Sequence, residues 1–184
     1  MKQDHRVRIT KMLLREGFID LLKEKPVSKI TVKELCERVE VNRATFYAHY
    51  HDIYALYEEI ERELAQNIMH SLSTTLPRDL LSAFSNEICA IIVENERSCQ
   101  AIFGEYGDPD FPFRVVETLR ESSLALWRED RPDLSDAELN RFYTFMSNGC
   151  LAVIRSWVQN DMSESPEEIA RFIEKTTSNA LAAL

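Results

Sequence analysis

Apolar residues recur at i, i+3, i+4 and i+7 along almost the whole of this 184-residue chain, and no stretch alternates cleanly with period two. That pattern calls for helices and leaves no sequence for a half-buried sheet. Only four glycines and six prolines are present, too few for a turn-rich β fold. Ile9, Met12, Leu13, Phe18, Leu21 and Leu22 mark a first helix that Pro26 closes. Thr31 and Glu34 have the spacing of a capping box, so a second helix starts near Val32 and carries Leu35, Cys36 and Val39 inward. Asn42 is suited to cap a short third helix ending near Tyr50. Asp52 is placed to cap a fourth, with Ile53, Leu56, Tyr57, Ile60, Leu64 and Ile68 on one stripe. Further helices are expected over 79–96, 98–104, 110–129, 136–160 and 167–183. Capping signals at Ser135 with Glu138, and at Ser165 with Pro166 and Glu168, open the last two. The chain is predicted to be all-α, with about nine helices.

Several function classes are set aside by what the sequence lacks. No apolar run approaches the roughly 18 residues of a membrane span, and the start has no apolar signal core, so a cytoplasmic location and no membrane partner are expected. Cys36, Cys89, Cys99 and Cys150 form no C-x-x-C pair and read as buried free thiols. There is no Glu-x-x-His pair, glycine-rich phosphate loop, H-E-x-x-H or G-x-S-x-G. No enzyme activity, cofactor or metal is therefore expected. His49 and His51 stand two apart on a helix, so they point to different sides and cannot easily share an ion.

Charge is unevenly distributed. Residues 1–52 carry 11 basic against 8 acidic side chains, and the remaining 132 residues carry 11 against 23. A mildly basic head of residues 1–52 on an acidic body of residues 53–184 is the domain division this suggests. Within the head, two short helices joined by a few residues have the proportions of a helix-turn-helix. Winding the third helix at 100° per residue places Phe46 and Tyr50 on one face and Ala44 and Ala48 on the other. Small residues there allow close approach to a groove floor. Thr45 and Tyr47 flank the alanines, and Tyr47 and His49 bring donors suited to phosphates. Arg43, in the first turn, is long enough to swing past the helix end toward guanine or phosphate. Phe46, Tyr50, Tyr54 and Tyr57 read as packing that seats the third helix on the fourth. Helix pairs with short turns also occur in helical proteins that never touch DNA.

The run ITVKELCERVEVNRATFYAHYHDIYALYEEI, with the helix before it, resembles the DNA-binding head of the TetR family of bacterial transcriptional regulators over residues 9–60. The resemblance implies a homodimer whose paired heads read two major-groove half-sites of a palindromic operator. Arg43, Ala44, Thr45, Tyr47 and His49 match the family's DNA contacts, with Thr31 and Lys33 facing the backbone. Asn42 and His51 complete the candidate set. Two positions depart from the family pattern. Glu40 stands where a turn glycine is usual, at a cost on the order of 1 kcal/mol if the backbone is left-handed. Ile53 stands where a phosphate-contacting lysine is usual. His51 supplies charge in its place only when protonated, so weaker anchoring, or binding that strengthens below about pH 7, is expected.

For the body, the resemblance implies dimerisation and a small-molecule effector pocket. Gly149, Val153, Trp157, Ile169, Phe172, Ile173 and Ala180, on the last two helices, are the candidate dimer interface. Phe84, Ile88, Phe103, Trp127 and Phe145 are candidates for lining a pocket, or are ordinary core. The expected function is a ligand-responsive DNA-binding regulator acting as a repressor. The competing expectation is a divergent helical regulator or adaptor that binds protein partners without an effector.

Overall fold

The computed structural model describes the backbone of residues 2–74 and 80–184, and the side chains of residues 5–71 and 85–184. Among the described residues there are ten α-helices and no strand: α1 (Lys2–Glu24), α2 (Val32–Arg38), α3 (Arg43–Tyr47), α4 (Ile53–Thr74), α5 (Leu80–Glu94), α6 (Glu96–Ile102), α7 (Phe111–Thr118), α8 (Arg120–Asp130), α9 (Asp136–Gln159) and α10 (Pro166–Ala182). A 3-10 turn, Val27–Lys29, follows Pro26. One helix more than expected arises because the 110–129 segment breaks. There the Thr118 hydroxyl turns back onto the Val115 carbonyl (2.7 Å), and Leu119 N–H bonds Val116 O (2.9 Å) in a tightened turn that buries Leu119.

The chain divides into two compact units. One comprises Met1–Gln66 and Asn95–Asp108, the other Asn67–Glu94 and Pro109–Leu184. The first unit thus reaches beyond residue 52, taking in the first part of α4 and all of α6.

In the first unit, Leu14, Phe18, Leu21, Leu35, Phe46, Leu56, Ile60 and Ile102 are almost wholly buried. Gly17 lets α1 approach α2, since a Cβ there would overlap Val39 Cγ1. Helix α6 is fastened to α1 by Arg97, which reaches Glu16 and Asp20 (2.6 Å to the latter), and by Lys23, which donates to Gln100 (2.8 Å). The first half of α1 differs from the sequence expectation. Ile9, Met12 and Leu13 are exposed, and burial begins only at Leu14.

In the second unit, Leu124, Trp127, Leu139, Phe142, Tyr143, Met146 and Leu181 form one apolar cluster. The Trp127 ring lies edge-on to Phe142 at 4.8 Å. Helices α5 and α10 share the most extensive helix–helix contact among the described residues. The two capping boxes expected in this unit close: Ser135 and Ser165 accept from the N–H of Glu138 and Glu168, whose carboxylates return to the serine N–H at 2.8 and 2.9 Å. All four cysteines are free. Burial pushes the Cys89 thiol up to about 11 and Cys99 to about 12, which keeps both unreactive. No helix among the described residues is long and apolar enough to cross a membrane.

Candidate nucleic-acid interface

The site is built on the turn between α2 and α3. The Thr31 hydroxyl accepts from Glu34 N–H (3.2 Å) and starts α2, while Lys25 pairs with Glu34. At the far end the chain must reverse within a few residues. Glu40 takes a left-handed conformation (φ 55°), and Val41 N–H reaches back to Cys36 O (3.0 Å). The departure from glycine at this position therefore carries the backbone strain the sequence suggested, about 1 kcal/mol.

Asn42 then restarts the chain, its side-chain oxygen accepting from Ala44 N–H (2.8 Å). That oxygen is engaged in capping, so Asn42 offers only its amide nitrogen outward. Helix α3 is shorter than expected, with Ala48 and His49 in the turn that follows it. Phe46 is wholly buried, and its ring meets Tyr50 at 5.6 Å. Arg43, Ala44, Tyr47 and Ala48 are exposed, Tyr47 by 57%, while Thr45 and His49 are half-buried. The structure thus places the candidate reading residues around one outward face. Lys33, exposed on α2, shares a shallow open groove with Arg43, Glu37 and Glu40, and pairs loosely with Glu37 (3.8 Å). Thr31 is also exposed.

After α3, Asp52 caps α4 through Ala55 N–H (2.8 Å), and its second oxygen stands 3.4 Å from the exposed His51 imidazole. Ile53 is buried, so the first turn of α4 presents no fixed cation. Tyr54 corrects the reading of the aromatic cluster. Phe46, Tyr50 and Tyr57 are core, but Tyr54 is 49% exposed because the inward stripe of α4 runs through Ile53, Leu56, Tyr57 and Ile60.

A polar lock missed at the level of sequence seats this segment. The Tyr50 hydroxyl donates to Glu59 (2.6 Å), Lys11 donates to the same carboxylate (3.1 Å), and the Lys11 ammonium lies 5.3 Å over the Tyr50 ring. Arg15 pairs with Glu63 one turn along. Tyr57 also leaves its hydroxyl paired, accepting from Asp108 N–H (2.7 Å). Burial pushes the Glu59 carboxyl up, but the Tyr50 hydroxyl and Lys11 ammonium outweigh it and hold it below the usual range. A depressed carboxylate stabilises the fold fully above its ordinary value near 4.5, and that contribution fades as pH falls through the lower folded value. Glu59→Gln is accordingly expected to lose about 1–2 kcal/mol of stability at pH 7. The difference from the wild-type chain should shrink in melts below about pH 4.

The residues proposed for an effector pocket fall on both units and differ in burial. Phe84 lies outside the described side chains. Phe103 is buried in the first unit, Ile88 is half-buried, and Trp127 belongs to the α8–α9 core. Phe145 is 74% exposed: α9 turns Phe142, Tyr143 and Met146 inward, which leaves Phe145 on the outer side. The candidate dimer residues divide in the same way. Trp157, Ile169 and Ile173 are buried in the chain's own core, with the Trp157 indole N–H donating to Glu164 O (2.9 Å). Val153 and Ala180 are half-buried, Phe172 is 55% exposed, and a Cβ on Gly149 would meet nothing within 4 Å.

Comparison with known proteins agrees with this geometry. The family model described as "Bacterial regulatory proteins, tetR family" matches residues 17–60, and that described as "Transcriptional regulator C-terminal region" matches residues 79–179. An uncharacterised HTH-type transcriptional regulator of Bacillus subtilis, YxbF, is 24% identical over 91% of this chain, which spans 44% of that relative's length. Among solved structures, a TetR transcriptional regulator from Streptococcus agalactiae superposes with a TM-score of 0.68 at 21% identity, covering 96% of this chain and 98% of the other. NalD of Pseudomonas aeruginosa, described as the secondary repressor of the MexAB-OprM multidrug efflux pump, superposes with a TM-score of 0.65 at 15% identity, over 97% of each chain. The chain belongs to the TetR family of bacterial transcriptional regulators, DNA-binding proteins rather than enzymes.

Proposed function

We propose that the chain acts as a homodimer whose paired heads read the two halves of a palindromic operator, and that it represses transcription until a small-molecule effector releases it. The observation that carries the DNA-reading part is the outward face of α3, where Ala44, Tyr47 and Ala48 are exposed around a buried Phe46. Such a face combines close approach with donors at its edges. Thr45, Arg43 and His49 join it as base or phosphate contacts, with Thr31, Lys33, Asn42 and His51 at the backbone. A regulator of this kind works where the operator is, in the cytoplasm. Release follows by population shift, if the effector favours a spacing of the two heads that the operator does not.

Pairing through the last two helices is supported by Phe145 on α9 and Phe172 on α10, two large aromatic side chains left in solvent. Exposed Gly149 and Ala152, on the same side of α9 as Phe145, allow another helix to come close. Phe145→Glu combined with Phe172→Glu is expected to convert the dimer to monomer in sedimentation equilibrium at micromolar concentration, with helical content unchanged. An unchanged dimer would place the interface elsewhere.

Selection of bound duplexes from a random pool tests the reading as a whole. An inverted repeat should emerge, its half-sites centred one helical turn, or a multiple of it, apart. A pool that stays random favours the second reading, a helical adaptor for protein partners, with which the acidic body is equally consistent.

A further inference from the structure

The outer end of α1 carries a run of positive charge that the fold uses only in part. From His5 to Arg15 there are four Lys and Arg side chains and no carboxylate. No residue from 5 to 13 is buried, so this stretch projects from the packed part of the head unit. Arg8, Lys11 and Arg15 are spaced i, i+3, i+7 and therefore share one stripe. Lys11 and Arg15 are answered from α4, by Glu59 and Glu63. Arg8 is exposed and has no ion-pair partner among the described residues.

Both ion pairs have the same sequence separation, 48 residues. Along this one turn the two helices therefore run in the same sense. Arg8 stands on the same stripe of α1, one turn before the lysine that covers the Tyr50 ring. This is the end of the head at which the chain leaves the reading helix. It is also where α4 itself supplies no fixed cation, because Ile53 is buried and Asp52 faces His51. An exposed guanidinium with no ion-pair partner among the described residues is suited to a phosphate oxygen, which it can meet with two parallel hydrogen bonds.

We propose that Arg8 is a phosphate-anchoring residue of the DNA interface, contributed by α1 one turn before Lys11. The proposal rests on the DNA-reading function above and adds a contact that lies outside the helix-turn-helix. One such contact per subunit should be visible in the salt dependence of binding, because each neutralised phosphate adds about 0.9 to the slope of log affinity against log salt.

The test measures fluorescence anisotropy of the enriched duplex and a scrambled duplex over a salt series. It compares the wild-type chain with Arg8→Ala, Arg8→Lys and Arg6→Ala. Arg8→Ala is expected to reduce the slope by about two per dimer and to weaken binding roughly tenfold, equally on both duplexes. Arg8→Lys should restore most of the slope. Arg6→Ala, two residues away and so on another side of α1, should leave it unchanged. Thermal midpoints should agree among all four proteins. A wild-type slope in Arg8→Ala overturns the assignment while leaving DNA reading intact. An equal loss from Arg6→Ala also overturns it, since that points to general charge attraction. A wild-type chain whose affinity ignores salt removes the DNA-reading function and this contact together.

Discussion

Phe46→Ala is expected to cost the head about 3–5 kcal/mol, the largest stability loss from any single change in the reading helix. The ring is wholly buried and meets both Tyr47 and Tyr50 within 6 Å. Helix α3 has only five residues, far below the length at which a helix holds itself together in water. Its shape is therefore borrowed from what Phe46 packs against, and truncation leaves both a cavity and an unanchored turn. Denaturant unfolding followed by circular dichroism should show the loss as a fall in midpoint. Hydrogen exchange should show α3 opening before the helices of the body. A midpoint within 1 kcal/mol of the wild-type chain would mean that α3 is seated by something else.

The second large effect falls on binding and leaves the fold alone. Tyr47→Ala and Thr45→Ala are each expected to weaken binding to the selected operator by about 1–3 kcal/mol, or roughly 5- to 150-fold, with much less effect on a scrambled duplex. Tyr47 is more than half exposed, and its hydroxyl has no hydrogen-bond partner among the described residues. Its removal therefore takes nothing structural from the head beyond one edge-on contact with Phe46. Thr45 is half-buried, its backbone N–H donates to Asn42 O (2.9 Å), which alanine retains, and its hydroxyl has no hydrogen-bond partner among the described residues. Loss of discrimination with an unchanged melting curve would assign both side chains to base reading. Equal losses on both duplexes would assign them to phosphate positioning instead.

Much of this was legible in the sequence because the head is made of local signals. Thr31, Asn42 and Asp52 cap the helices their spacing announces, and the same holds for Ser135 and Ser165. The outward face of α3 followed from helical winding alone, since Phe46 fixes which side is inward. What failed was information that only tertiary packing holds. Tyr54 and Phe145 are apolar residues at helical spacing, yet each sits one step off the stripe its helix buries, and both face solvent. Trp157, Ile169 and Ile173 looked available to a partner but fill the chain's own core. The lock of Lys11, Tyr50 and Glu59 joins three segments, and no local pattern pairs residues 48 apart.

The most direct measurement is the affinity of the wild-type chain for its enriched duplex and for a scrambled one, across salt from about 50 to 200 mM. Both affinities should fall steeply as salt rises, and the enriched duplex should stay at least about a thousandfold tighter throughout. A log affinity that barely changes with log salt, or two duplexes that bind alike, would contradict the assignment of the exposed α3 face to DNA.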